Sequence, residues 1–381
     1  MGDLLACLRG WHPALAKAEL SALLPQADLS PTPSARWWRV RGVETSEGLE
    51  ALNVASGLQC YLVDGVVTAV EETDQDTWLD TVRTYFDHHP VSGSVAVRGW
   101  KQGGKIPEWS LSALSGRLGA VLHGRGCTID LEHPDHVLAL IADGPAASLA
   151  CGWMVGDGQA AFSNGERRAG ERPFFKPVSL DPMLARLAVN LATGPVSNGP
   201  VIDPMTGTGG FLIEAALSGR PALGIDIHSE MVQGAQANLN WACEGAPDHA
   251  RVVRGDATRL GDFVPEEWSG KVAGFVLDPP YGRNSHGSLD SDALLAACLR
   301  SARAVAAPSA GFVLILPLHP MDPPPVNEVD LAEALPLLRG EWTAMKALIA
   351  EAGWHLQSGH VERVHRSLSR LILHARCAPQ G

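Results

Sequence analysis

The rhythm of apolar and polar positions changes partway along the chain. Near the start, "HPALAKAELSALLP" carries apolar residues at helical spacing and follows a strand-like opening, "LLACLRG". Short strand-like runs come next, "RWWRVRGV", "QCYLVDGVVTAVEE" and "GSVAVRGW", separated by helical or turn-rich pieces. A helix over "LSALSGRLGAVLHGRG" then leads into "CTIDLEHPDHVLALIADGPAASLACGW", three strand-like segments broken at Pro134 and Gly144. The pattern predicts an α+β, ferredoxin-like region over 1–160. A linker rich in charge, Gly and Pro, "GERRAGERPFFKPVS", follows over 161–180.

Beyond it the pattern becomes a regular alternation. Helix "DPMLARLAVNLA" precedes strand "PVIDP", helix "GGFLIEAALSG", strand "ALGIDI", helix "SEMVQGAQANLNWA" and strand "ARVVRGDA". Strand "VAGFVLDPPY", helix "SDALLAACLRSARAVA" and strand "GFVLILPL" complete the series. Strands alternating with helices of this length predict a doubly wound, Rossmann-like parallel sheet over 181–381, with its site beyond the carboxyl ends of the strands. A helix over 331–352 and a terminal hairpin, "WHLQSGHVERVHRSLSRLILHAR", are expected after a Pro-rich loop.

Composition narrows the class. The chain has 381 residues, 45% of them hydrophobic, enough for two or three domains with real cores. No apolar run approaches the ~20 residues of a membrane span, and "MGDLLACLRGWHP" lacks a basic leader, so a soluble, cytoplasmic protein is expected. The seven cysteines are scattered without a C-x-x-C pair, and the fourteen histidines are scattered too, so no metal site is expected. The net charge is −12, with only six lysines against 24 arginines, which speaks against a polyanionic partner taken alone. Two basic clusters soften that conclusion. Arg98, Lys101, Lys105, Arg117 and Arg125 are interleaved with Trp100 and Trp109, while Arg167, Arg168, Arg172 and Lys176 lie in the linker. They read either as solvated surfaces or as a basic track for phosphate contacts, with Arg283 further along.

The most informative motif is "VIDPMTGTGGFLIEAA". A strand ends at Asp203, a turn holds Gly207, Gly209 and Gly210, and a helix follows. Such a turn lets a nucleotide-type cofactor approach the backbone. The spacing D-x-x-x-G-x-G-G differs from the dinucleotide pattern, and the next two strands end in Asp226 and Asp256. Three carboxylates repel a pyrophosphate and suit a cationic sulfonium, with Asp203 toward the ammonium group, Asp226 toward the ribose hydroxyls and Asp256 near the adenine amine. S-adenosyl-L-methionine is the expected cofactor.

"VLDPPYGRN" ends the fourth strand of the series. Asp-Pro-Pro is ordinary turn chemistry, and "HPMDPPPVN" repeats the wording in a later loop. At a strand end beside the cofactor turn it gains a second meaning. An exocyclic amine on a base is a poor nucleophile, and a carboxylate with a backbone carbonyl can accept its two N–H bonds. Asp278 and the Pro279 carbonyl would be those acceptors, Pro280 would stiffen the loop, and Tyr281 would offer a face for stacking. The tetrapeptide cannot choose among guanine N2, adenine N6 and cytosine N4.

With "DPMTGTGGFLIEAAL", "GIDIHSEMVQGAQANL", "RGDATRL" and "VLDPPYGR" in place, the chain resembles the THUMP-domain tRNA guanine-N2 methyltransferases, most closely the archaeal enzymes that modify guanosine 10 of tRNA. The likeness extends to "HPALAKAELSALL", to the bridge "RPFFKPVSLDPMLARLAVNLA" and to the hairpin "RVHRSLSR", and "LGAVLHGRGCTIDLEHPDHVLALIADG" looks like the later half of a THUMP domain. The resemblance implies a class I methyltransferase sheet preceded by a THUMP RNA-binding region, with tRNA as partner. It implies that Asp203, Gly207, Gly209, Asp226 and Asp256, with Thr206, Thr208, Ile227, Ala257 and Asp278 beside them, hold the cofactor. Catalysis would fall to Asp278, Pro279, Pro280 and Tyr281, with Phe175, Lys176 and Pro177 brought back toward the site. The same chemistry on tRNA guanosine 6 or on ribosomal RNA, or a non-catalytic THUMP RNA-binding protein, are the alternatives. The chain's acidity suits relatives that work with a small zinc-containing activator subunit. Arg283 and "NSHGSLDSD" are expected to form a flap over the nucleotide.

Overall fold

The computed structural model describes residues 3–155, 167–176, 179–279, 291–323 and 327–378. Pro280, Tyr281, Arg283, residues 284–290 of the expected flap, Pro177 and the end of the second Pro-rich turn lie outside the described residues, while Ser291 and Asp292 of that flap begin a helix. In chain order the first elements are β1 (Leu4–Leu8), α1 (Pro13–Leu23), β2 (Asp28–Pro31), β3 (Trp37–Arg41), α2 (Thr45–Val54), β4 (Leu58–Ala69), α3 (Gln75–His88), β5 (Ser94–Gln102), α4 (Leu111–Gly124), β6 (Thr128–Ile129), β7 (His136–Asp143) and β8 (Ser148–Met154). They are followed by α5 (Pro182–Thr193), β9 (Val201–Asp203), α6 (Gly210–Leu217), β10 (Ala222–Asp226), α7 (Ser229–Ala242), β11 (Ala250–Arg254), β12 (Val272–Leu277), α8 (Ser291–Val305), β13 (Ala306–Leu318), α9 (Trp342–Glu351), β14 (Trp354–His365) and β15 (Leu368–Cys377).

The chain divides into two compact units: residues 1–13, 26–53 and 57–161, and residues 14–25, 54–56 and 162–381. The first unit is built on a mixed sheet in the order β2-β3-β1-β4-β8-β7-β5-β6. Trp78, Val82 and Phe86 of α3 and Leu114, Leu118 and Leu122 of α4 bury their apolar stripes with Leu138, Leu140 and Leu149 from the sheet. Asp74 caps α3 by accepting from the N–H groups of Asp76 and Thr77, both at 2.9 Å. The buried Gln102 amide is satisfied by the Trp37 indole at 3.0 Å and the Leu8 carbonyl at 2.8 Å.

The second unit carries the Rossmann-like sheet, in the order β11-β10-β9-β12-β13-β15-β14. Strands β11, β10, β9, β12 and β13 are parallel, and the terminal hairpin adds β15 antiparallel to β13. β12 is buried at every position, as expected of a central parallel strand covered on both faces. The strand order reverses between β9 and β12, and Asp203 and Asp278 leave the sheet on either side of that switch. Open α/β sheets bind their ligands at such a point.

Two departures from the sequence pattern stand out. The helix expected over 331–352 forms only at Trp342–Glu351, because Pro336 removes a helical donor and Gly340 turns the chain at φ +71°. Leu337 instead pairs with Leu318 in an isolated bridge. Helix α1 belongs with the second unit from Ala14 onward, although it lies near the start of the chain. Its Glu19 is fully buried and accepts from the Asn190 amide of α5 at 2.7 Å and from the Ser56 N–H at 3.0 Å.

Candidate active site

Four parallel strands each place one acidic side chain at or just beyond their carboxyl ends: Asp203 ending β9, Asp226 ending β10, Asp256 after β11 and Asp278 after β12. Asp203, which ends β9, is 3% exposed and accepts from the Met205 N–H at 3.3 Å. Burial, helped by the neighbouring carboxylates of Asp226 and Asp278 and opposed by hydrogen bonds from Thr206 and the Met205 N–H, raises its carboxyl to about 8. After it the chain turns through Thr206, Gly207, Thr208 and Gly209. Gly209 sits at φ +82°, where a side chain is strained, and a Cβ there would crowd Ala235 at 3.2 Å. The Gly209 N–H closes the turn on the Thr206 carbonyl at 2.7 Å, and α6 begins at Gly210.

Asp226 at the end of β10 is oriented by two backbone donors, Gly207 N–H at 3.1 Å on one oxygen and His228 N–H at 2.9 Å on the other. Each oxygen keeps a lone pair for a ligand hydroxyl. Beyond it Ile227, 57% exposed, borders an open pocket of about 410 Å³ lined also by His228, Ser229, Glu230, Met231 and Arg254. An exposed aliphatic face beside a fixed carboxylate suits the flat ring and the ribose of a nucleoside. Asp256, after β11, is held by the Thr258 N–H at 2.9 Å and hydroxyl at 2.8 Å, and Ala257 behind it is buried.

Asp278 leaves the end of β12 half-buried, with Pro279 after it. Burial raises its carboxyl to about 6, Arg370 of β15 draws it down, and Glu362 of β14 pushes it up. Arg370 and Glu362 face each other across the hairpin at 3.5 Å. That pair, brought to the site by the terminal hairpin, has no local sequence signature.

The linker closes over the glycine-rich turn. Asn238 of α7 accepts from the Phe174 N–H at 2.8 Å and donates to the carbonyls of Phe174 and Thr208, at 2.8 and 2.9 Å. Ser179 meets the Thr208 hydroxyl at 3.1 Å. The Phe174 ring packs on Gly234, where a Cβ would come within 2.1 Å of it. Asn238 and Gly234 escaped the sequence reading, although a polar amide on the buried face of a helix is a signal that could have flagged the first.

The basic residues separate into two kinds. Lys101, Lys105 and Arg168 are exposed and make no ion pair among the described residues, whereas Arg117 pairs with Asp76, Arg125 with Asp87 and Lys176 with Glu230. Arg98 is exposed and donates to the Leu131 carbonyl. Arg167 is turned inward to the buried Glu214 at 2.9 Å, which Arg186 also meets at 3.1 Å. Arg172 is 4% exposed, so it cannot stand on a surface track for RNA as the sequence suggested. Among the described residues no group of three or more His, Cys, Asp or Glu could hold a metal ion, and no helix is long and apolar enough to cross a membrane.

The chain is similar to several known proteins. Residues 169–322 match the family model described as RMKL-like, methyltransferase domain. A protein of Pyrococcus abyssi named tRNA (guanine(10)-N2)-dimethyltransferase is 29% identical over 361 residues, covering 95% of each chain. A protein of the same name from Methanocaldococcus jannaschii is 42% identical over 112 residues, covering 29% of this chain and 31% of its own. Among solved structures, TrmN from Thermus thermophilus aligns over 98% of this chain and 99% of its own, with 22% identity and a TM-score of 0.48.

Proposed function

We propose that the protein transfers methyl groups from S-adenosyl-L-methionine to the exocyclic N2 amine of a guanosine in tRNA, with guanosine 10 as the target. The observation that carries this is the placement of Asp278 and Pro279 at the sheet's switch point, across from the glycine-rich turn and Asp203. The name and near-complete coverage of the Pyrococcus abyssi relative support the choice of substrate. The first unit, read as a THUMP-type RNA-binding region, would hold the tRNA through exposed cations such as Lys101 and Lys105.

The donor site fits the cofactor by its own features: a glycine-rich turn that takes φ +82° at Gly209, an oriented Asp226, and a buried Asp203. When bound, S-adenosyl-L-methionine supplies a methyl group on a positively charged sulfur. The chain's part is to present the acceptor. The ionised Asp278 carboxylate and the Pro279 carbonyl accept the two N–H bonds of the amine, localise its lone pair and disperse the charge that grows on nitrogen during in-line attack. Asp278 then holds the released proton, which its raised pKa favours. Pro280 and Tyr281 would complete the clamp.

Incubation with unmodified tRNA transcript and labelled cofactor, followed by identification of the product nucleoside and its position, tests the proposal. N2-methylguanosine or N2,N2-dimethylguanosine at position 10 is expected. The same nucleoside at position 6 or in ribosomal RNA would move the target. Label in N6-methyladenosine, or none, would overturn it. We further propose that a small zinc-containing subunit assists the acidic chain; full activity of the pure chain alone would remove that part.

A further inference from the structure

Arg172 presents a buried cation with no anion of its own. The residue is 4% exposed, its Nε donates to the Arg167 carbonyl at 3.2 Å, and the buried Nη1 and Nη2 have no hydrogen-bond partner among the described residues. Burying a charged fork in this state is costly unless a partner arrives. The carboxylates that pull on it are Glu214 and Asp181. Glu214 is already taken by Arg167 and Arg186, and Asp181 accepts from the Met183 N–H at 2.8 Å to cap α5. Three guanidinium groups therefore surround one buried carboxylate, and the third has its terminal nitrogens to spare.

The direction of those nitrogens identifies what they await. Nη1 lies 3.5 Å from the point a Cβ on Gly210 would occupy, at the first residue of α6, where the glycine-rich turn ends. A helix N-terminus adds positive potential of its own. The turn thus begins at a buried acid, Asp203, and ends at a buried, unpaired guanidinium. A ligand lying along it needs an ammonium group at one end and a carboxylate at the other, which is the α-amino-acid tail of the cofactor. We infer that Arg172 binds the carboxylate of that tail as a two-pronged clamp and selects cofactors that carry it. The inference rests on the cofactor reading above.

The test is binding, not turnover. Isothermal titration of the wild-type chain should show S-adenosylmethionine binding about 10- to 100-fold more tightly than decarboxylated S-adenosylmethionine, which keeps the ammonium, sulfonium and nucleoside. Arg172→Met should lose that preference, weakening the first ligand by the same factor and changing the second by less than about threefold. Arg172→Lys should restore part of the difference. Equal wild-type affinities for the two ligands would overturn the inference whether or not the variants fold. A variant weakened equally toward both would assign Arg172 to the fold instead. A wild-type chain that binds neither ligand would sink the cofactor reading itself and this inference with it.

Discussion

Asp278 and Asp203 both sit above the ordinary carboxylate range, and the two shifts predict opposite experiments. Asp278 titrates near 6 because it is buried, with Arg370 and Glu362 acting in opposite senses. The acceptor form needed by the amine is the ionised one, so kcat/KM should climb about tenfold per pH unit below about 6 and level off above. Asp278→Asn should remove that limb and lower kcat/KM by at least about a hundredfold. A profile flat from about pH 5 to 8 would place the titrating base elsewhere. Asp203, near 8 through burial and the nearby Asp226 and Asp278, is mostly protonated at neutral pH without ligand. Seating an ammonium group against it requires ionisation, so cofactor binding near pH 7 should release a proton, and affinity should rise toward about pH 8. Calorimetry in buffers of different ionisation enthalpy measures this directly; the same heats in every buffer would refute it. The sign for folding follows. Both groups have folded values above their unfolded ones, so their contribution favours the fold in acid and is lost as pH rises through about 6 and about 8. Asp203→Asn should therefore raise the melting temperature of the free protein above about pH 8 while weakening the cofactor's stabilising effect.

At the level of elements, the pairing of the linker with α7 is the most exposed to substitution. Phe174 lies flat on Gly234, and Asn238, one turn later, fastens the same backbone to the glycine-rich turn. Gly234→Ala would put a methyl group 2.1 Å from the ring, so Phe174 must leave its seat. A loss of about 1–3 kcal/mol in denaturant unfolding is expected, with much of it recovered in the double variant Gly234→Ala/Phe174→Leu. Additive losses would mean the two residues do not meet. Lys176, which lies 5.2 Å over the Phe174 ring, should lose its contact with Glu230 in the single variant. These elements also show what a sequence pattern can and cannot reveal. The strands ending in Asp203, Asp226 and Asp278 were legible because buried parallel strands are short apolar runs closed by turn residues. The helix over 331–352 was misjudged because its apolar spacing is helical while Pro336 and Gly340 forbid continuity. The Phe174–Gly234 seat was invisible because a glycine inside a helix carries no mark of what packs against it.

At the scale of the whole molecule, distance along the chain limited the reading. Nothing local announces that Glu19 of α1 bonds Asn190, 171 residues away, and so joins the first helix to the second unit. The charge distribution was half legible for a related reason: a sequence counts cations, whereas the fold decides which are spent. Within the two basic clusters, Arg117, Arg125 and Lys176 are matched by Asp76, Asp87 and Glu230, Arg98 donates to the Leu131 carbonyl, and Arg167 and Arg172 are turned inward, which leaves Lys101, Lys105 and Arg168 of those clusters exposed with neither tie among the described residues. On a chain with net charge −12 this predicts weak, shallowly salt-dependent binding of tRNA. Each phosphate neutralised contributes about 0.7–0.9 to the slope of log affinity against log salt, so a slope of about 2–3 is expected from those residues. Lys101→Gln and Lys105→Gln should each lower it by nearly one, whereas Arg172→Met should leave it unchanged. Filter binding or fluorescence titration between about 50 and 200 mM salt gives these slopes. A wild-type slope above about 6 would show that the surface ion pairs open to bind RNA, and the matched arginines would then have to be returned to the interface.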